Sequence, residues 1–125
     1  MDQTFSVPRM FSDNDGACRF DDFETSLQLQ DAAPPAAPFY TAAPENATCY
    51  IFFRIPPGWA GDLHPTPNPR LVICLAGAIR FIGADGESRT IGPGGRLLDL
   101  NTKGQGHTTE VVSDVPVEGI IIRLD

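Results

Sequence analysis

Proline and glycine interrupt this chain too often for it to be a helical bundle. Twelve of each occur among 125 residues. Proline breaks helix interiors and glycine weakens them, while both shape turns. What remains between them is a series of short apolar runs. Cys49 to Ile55 is rich in aromatic and β-branched residues and stops at Pro56-Pro57-Gly58. Leu71 to Leu75 is a continuous apolar run, the pattern of a strand buried on both faces. Ala78 to Ile82 and Ser88 to Ile91 flank Ala84-Asp85-Gly86, whose Asp-Gly pair is a hairpin turn signal. Arg96 to Leu100, His107 to Val112 and Val115 to Leu124 complete the series, with a polar loop at Asn101 to Gly106. Short strands at this spacing predict a single all-β domain, a sandwich or barrel.

The N-terminal third is less regular. Gly16 to Leu29 holds one early strand, with Phe20, Phe23, Leu27 and Leu29 as its apolar residues. Gln30 to Pro44 is rich in Ala and Pro, and proline blocks both helix and ladder there. Residues 1–46 therefore read as N-terminal strand and Pro-rich arm packed on a barrel formed by 47–125, not as a separate domain. Apolar residues make up 42% of the chain, enough for a true core.

A formal charge of −7 argues against a nucleic-acid partner, because phosphate is bound mainly through Lys and Arg. Cys18, Cys49 and Cys74 are odd in number and widely spaced, with no C-x-x-C pair for zinc or redox chemistry. They read as reduced thiols of a cytoplasmic protein. Met1-Asp2-Gln3-Thr4 opens no signal peptide, and no apolar run is long enough to span a bilayer. The Asn46-Ala47-Thr48 sequon is then a chance match. Asp13-Asn14-Asp15-Gly16 reads as an Asx-type turn, since Phe11 stands where a calcium loop needs an oxygen. Gly92-Pro93-Gly94-Gly95 reads as a turn, since no Lys-Ser or Lys-Thr follows it.

From Gly58 to Val112 the chain resembles the two sequence motifs of the cupin family. Gly58, His64 and Gly77 match the first motif, G-x5-H-x-H-x3-E-x6-G. Thr66 stands at its second His and Arg70 at its Glu. Gly86, Pro93 and Gly95 match the opening of the second motif, His107 takes its His after a longer run, and Val111 replaces its Asn. A narrower likeness is to small, mostly uncharacterised cupins. It rests on Leu63-His64-Pro65-Thr66-Pro67-Asn68-Pro69-Arg70, on Ala76-Gly77, on Leu100 to His107, and on the Pro-rich arm with Arg54-Ile55-Pro56-Pro57-Gly58. The resemblance implies a jelly-roll β-barrel. It implies little about chemistry, because one fold hosts many activities.

In the resembling fold Arg70, Val72, Cys74 and Ala76 face inward, and Leu71, Ile73 and Leu75 face outward. His64, Thr66 and His107 face the same cavity. The chain has only these two histidines, and both fall on cupin ligand positions. They are the candidate catalytic residues, as general acid or base. The alternative is a pair that only hydrogen-bonds within the protein. Thr66, Arg70, Val72 and Cys74 are the candidate ligand contacts. Cys74 is either a reactive thiol or, more plainly, a small buried hydrophobe.

A divalent transition metal at His64 and His107 is the less favoured reading. A catalytic zinc site has three protein ligands plus water, Thr66 is a poor ligand, and Arg70 is always charged. A guanidinium about 4 Å from a dication meets a repulsion on the order of 8 kcal/mol at an effective dielectric near 20. No cofactor is expected. The same Arg70 suits a small anion, unless an internal carboxylate or solvent takes it; the facing of Asp99 is not fixed by the pattern. Three functions stay open: a metal-independent binder or enzyme for a small polar or anionic molecule, a metal-dependent oxygenase or isomerase, and a non-catalytic sensing or assembly barrel. A homodimer is expected, with the Pro-rich arm, Ile73 and Leu75 as contacts, and no membrane partner.

Overall fold

A computed structural model describes residues 3–125; the first two residues of the N-terminal reading lie outside it. Eleven strands follow in order: β1 (Thr4–Ser12), β2 (Cys18–Ser26), β3 (Gln28–Gln30), β4 (Phe39–Thr41), β5 (Cys49–Ile55), β6 (Arg70–Ala76), β7 (Ile79–Gly83), β8 (Ser88–Ile91), β9 (Arg96–Leu100), β10 (His107–Val111) and β11 (Val117–Arg123). The described residues contain no helix, so none is long and apolar enough to cross a membrane.

The strands form three sheets. One has six strands in the order β2-β1-β9-β6-β11-β5, one has three in the order β10-β7-β8, and β3 pairs with β4 alone. None closes on itself, so the expected barrel is corrected to open sheets. The two larger sheets share one core. Met10, Phe20, Val72 and Leu97 enter it from the six-stranded sheet, and Ile79, Phe81, Ile91 and Val111 enter from the other. Burying those faces against each other is the main stabilising term.

Two N-terminal expectations change. β1 carries Pro8 and was not legible as a strand. It nevertheless pairs in parallel with β9, from Arg9 opposite Leu98 to Phe11 opposite Leu100. Of the N-terminal strands, β1 and β2 thus enter the main sheet, while β3 and β4 stay apart as the two-stranded one. Within the Pro-rich stretch, Phe39–Thr41 still forms a ladder with β3, because its prolines flank the paired residues.

Strand β6 shows the expected alternation, with Val72 and Cys74 buried and Leu75 56% exposed. It is therefore not buried on both faces. On its outer side Leu71 and Ile73 are half-buried and Leu75 is exposed, with Ala42, Ala43, Glu45 and Asn46 of the arm lining a groove beside Leu71. The Asx turn is present: the Asp13 carboxylate accepts the amides of Asp15 and Ala17 and also binds Arg19.

Candidate functional site

The segment from Trp59 to Thr66 runs antiparallel beside β10, on the side away from β7. Val111 donates its amide to the Trp59 carbonyl at 3.0 Å, Gly61 to Thr109 at 2.8 Å, and Thr66 to Asn101 at 2.8 Å. His64 and His107 exchange both backbone bonds at 3.1 Å. The prolines at 65, 67 and 69 explain why this is not a full strand. They occupy alternate positions, so Thr66 between two of them keeps the amide that reaches Asn101, while the amides that reach β10 come from Gly61 and His64 ahead of them.

This pairing places the two imidazoles side by side, with ring centroids 5.6 Å apart and planes inclined by 38°. Their environments differ. His64 is exposed, and its Nδ1 lies 2.7 Å from the Asp62 carbonyl. His107 is 3% exposed, and its Nδ1 lies 2.8 Å from Asn101 Oδ1. Phe81 of the core lies against it at 6.2 Å between centroids.

The hydrogen bonds fix where the ring protons sit. Ser12 Oγ donates its single hydrogen to the Lys103 carbonyl, so it must accept from Asn101 Nδ2 at 2.9 Å. Asn101 then presents Oδ1 to His107, and an amide oxygen only accepts. His107 Nδ1 therefore carries the hydrogen and its Nε2 carries a lone pair. The Asp62 carbonyl also only accepts, so neutral His64 has the same tautomer. Burial, and secondarily the neighbouring His64, pushes the His107 pKa down to about 4. His107 is neutral at physiological pH.

Beneath the pair lies a buried polar chain. Asn101 is fully buried, Asp99 is 3% exposed and Thr66 is 4% exposed. Thr66 donates to Asp99 Oδ2 at 2.6 Å, and the Asn101 amide donates to Asp99 Oδ1 at 3.1 Å. Burial raises the Asp99 pKa. The bonds from Thr66 and Asn101, and the fields of Arg70 and His64, pull it back in part.

The sequence candidates thus separate. His64, Thr66 and His107 come together, but the Thr66 hydroxyl is committed to Asp99. Arg70 is half-buried and bonds Asn68 through Nε and one terminal nitrogen. Asp99 faces inward opposite Arg70 in register, so the protein itself supplies a neighbouring anion. Val72 and Cys74 are core residues. The Cys74 thiol points to the Ala76 and Gly77 carbonyls, and burial raises its pKa. Grooves of 350 to 620 Å³ lie on other surfaces, and neither histidine lines them. Asn101, Asp99 and Ser12 complete the site and were not among the sequence candidates.

As a metal site the donor set falls short. Two imidazoles lie side by side, yet the described residues offer no group of three His, Cys, Asp or Glu arranged to hold an ion. Thr66 and Asp99 are spent on each other, and Arg70 adds positive charge nearby.

No family profile matches the chain, and no curated protein matches it in sequence. Among solved structures it is similar to a conserved protein of unknown function, SPY1581, from Streptococcus pyogenes. Identity is 15%, the TM-score is 0.47, and the match covers 67% of this chain and 71% of that one. A likeness of that degree decides neither fold family nor activity.

Proposed function

We propose that this chain is a cupin-type jelly-roll protein that binds a small polar molecule at the rim where His64 meets His107, without a resident metal. The observation that carries this reading is the pair of Nδ1 contacts, from His64 to the Asp62 carbonyl and from His107 to Asn101 Oδ1, which set the tautomer of both neutral rings. With each Nδ1 hydrogen held internally, two Nε2 lone pairs are left to accept hydrogen bonds from one ligand. A neutral His107 does not attract an anion, and Arg70 already faces Asp99. The ligand is therefore a neutral or cationic donor, carrying O–H or N–H groups, rather than the anion that Arg70 alone suggests.

Binding suits the site better than general-base catalysis. A base works best with a pKa near the working pH, and burial holds His107 far below that. The jelly-roll assignment rests on the same pairing. Two residues at cupin ligand positions, 64 and 107, meet across a backbone bridge.

A thermal-shift screen of small polyols, amines and carboxylates tests the reading. Donor-bearing neutral or cationic compounds should stabilise the wild type, and the response should fall at least tenfold in apparent affinity in His64→Ala, whose ring is exposed. A carboxylate response lost in Arg70→Gln would replace the donor with an anion. About one transition metal per chain by elemental analysis, lost in the double change His64→Ala and His107→Ala, would replace the whole reading with a metal site.

A further inference from the structure

We infer that Arg96 and the groove beside it bind a small monocarboxylate with an apolar tail, at a site separate from the two histidines. The chain has eight arginines. Arg9, Arg19, Arg54, Arg80, Arg89 and Arg123 each pair with a carboxylate, and Arg70 bonds the Asn68 side chain. Among the described residues Arg96 alone bonds no side-chain oxygen. Its one hydrogen bond runs from Nη2 to the Ser6 carbonyl at 2.9 Å.

The guanidinium is held in place before any ligand arrives, which lowers the ordering cost of binding. Its central carbon lies 4.0 Å from the Phe5 ring centroid, a cation–π stack that covers one face. Its hydrogens all lie in the plane of the group, so stacking leaves the edges open to acceptors. Nε is buried without an acceptor among the described residues, a condition native folds seldom leave. Nη1 keeps both hydrogens free of the protein, at the edge where a carboxylate meets a guanidinium with two parallel bonds.

The groove supplies the rest. It holds about 350 Å³ beside Arg96, a volume in the range of small-ligand sites. Pro8, Ile91 and Pro93 give it apolar walls, and Thr90 also lines it. Thr90 Oγ1 accepts from Arg80 Nε at 3.4 Å, so its own hydrogen can reach a second acceptor. The Gly94 and Gly95 amides donate to the Cys74 and Gly92 carbonyls at 2.8 Å, so the turn does not aim them at a phosphate. The chain carries −7, which disfavours a multiply charged anion at a site with one cation. Arg96 opens β9, and Asn101, the partner of His107, follows its end. The two sites are thus roughly 16 Å apart along the strand.

Calorimetric titration of the intact chain with hexanoate, hexanamide and inorganic phosphate tests the inference. Hexanoate should bind the wild type with a dissociation constant of roughly 1 mM or tighter, and the other two at least tenfold more weakly. Arg96→Gln should weaken hexanoate at least tenfold with unchanged circular dichroism. Arg96→Lys keeps the charge without the planar fork and should lose part of the affinity. Arg54→Gln removes an equal charge elsewhere, and Arg70→Gln and His64→Ala alter the histidine end; all three should bind hexanoate as the wild type does. If Arg96→Gln misfolds, the nitrogen-15 guanidinium signals of Arg96 in the wild type decide, shifting with hexanoate and not with hexanamide. No hexanoate binding, equal binding of hexanamide, tighter binding of phosphate, or a loss in Arg70→Gln in place of Arg96→Gln overturns it.

Discussion

Gly106→Ala is expected to lower stability by about 3 kcal/mol or more, through left-handed strain and the loss of buried backbone bonds. Gly106 has φ +84°, and a Cβ there would lie 2.1 Å from the His64 carbonyl carbon. The atoms it meets are all main-chain, so no side chain can swing aside. The segment at His64 must move, and the two bonds it exchanges with His107 at 3.1 Å go with it. Gly94→Ala is the control. Its φ is +83° but nothing lies within 4 Å of the added Cβ, so it should cost only about 1–2 kcal/mol of strain. Urea unfolding of both variants measures the difference. Equal losses in the two would mean that the approach of Gly106 to His64 is not constrained.

The second large effect is on pH. His107 titrates near 4 when folded and near 6.5 when unfolded. The folded state therefore binds fewer protons between these values. The stability that follows from keeping the ring neutral is complete above pH 6.5 and is lost as pH falls toward 4. Its full size is about 3 kcal/mol. Asp99 works in the opposite direction. Its folded pKa is raised by burial, so the cost of ionising it is relieved as pH falls through that raised value. Arg70 and His64 face it and moderate the shift. Asp13, Asp21 and Asp125 have pKa values lowered mainly by their arginine partners, so their contributions are lost only below the ordinary carboxylate value. Urea unfolding from pH 7.5 to 4 should show a falling stability in the wild type, a smaller fall in His107→Gln, and a steeper one in Asp99→Asn. The same slope in wild type and His107→Gln would contradict the burial of a neutral ring.

How much of this was written in the sequence follows from local signals. Cys49 to Ile55 reads as a strand because its β-branched and aromatic residues stop at Pro-Pro-Gly. The inward facing of Val72 and Cys74 came from the cupin resemblance, which sets Arg70 inward, whereas the continuous apolar run by itself reads as buried on both faces. β1 was not legible, since Pro8 argues against a strand and its parallel partner β9 lies far along the chain. Closure of the barrel failed for a related reason. Strand patterns fix which face is apolar, but they do not say whether the edges of a sheet meet.

The site shows the same division. His64 and His107 stand out as the only histidines at motif spacing. Asn101 was hidden in a polar loop. Asp99 follows Leu97-Leu98, two apolar residues in succession that leave the parity of β9 undecided. Once Leu97 is seen to be fully buried, Asp99 and Asn101 fall on the same inward side. The place of Asp99 opposite Arg70 in the ladder and the proton on His107 then follow from geometry rather than from residue type.

The most direct measurement is a nitrogen-15 imidazole spectrum of the two histidines across a pH titration. His107 should show a protonated Nδ1, a bare Nε2, and a midpoint near 4. Ser12→Ala leaves Asn101 free to turn its amide over, so it should weaken that tautomer preference without removing the ring from the core. A His107 whose hydrogen sits on Nε2, or one that titrates near 6.5, would contradict the paired lone-pair site on which the proposed ligand depends.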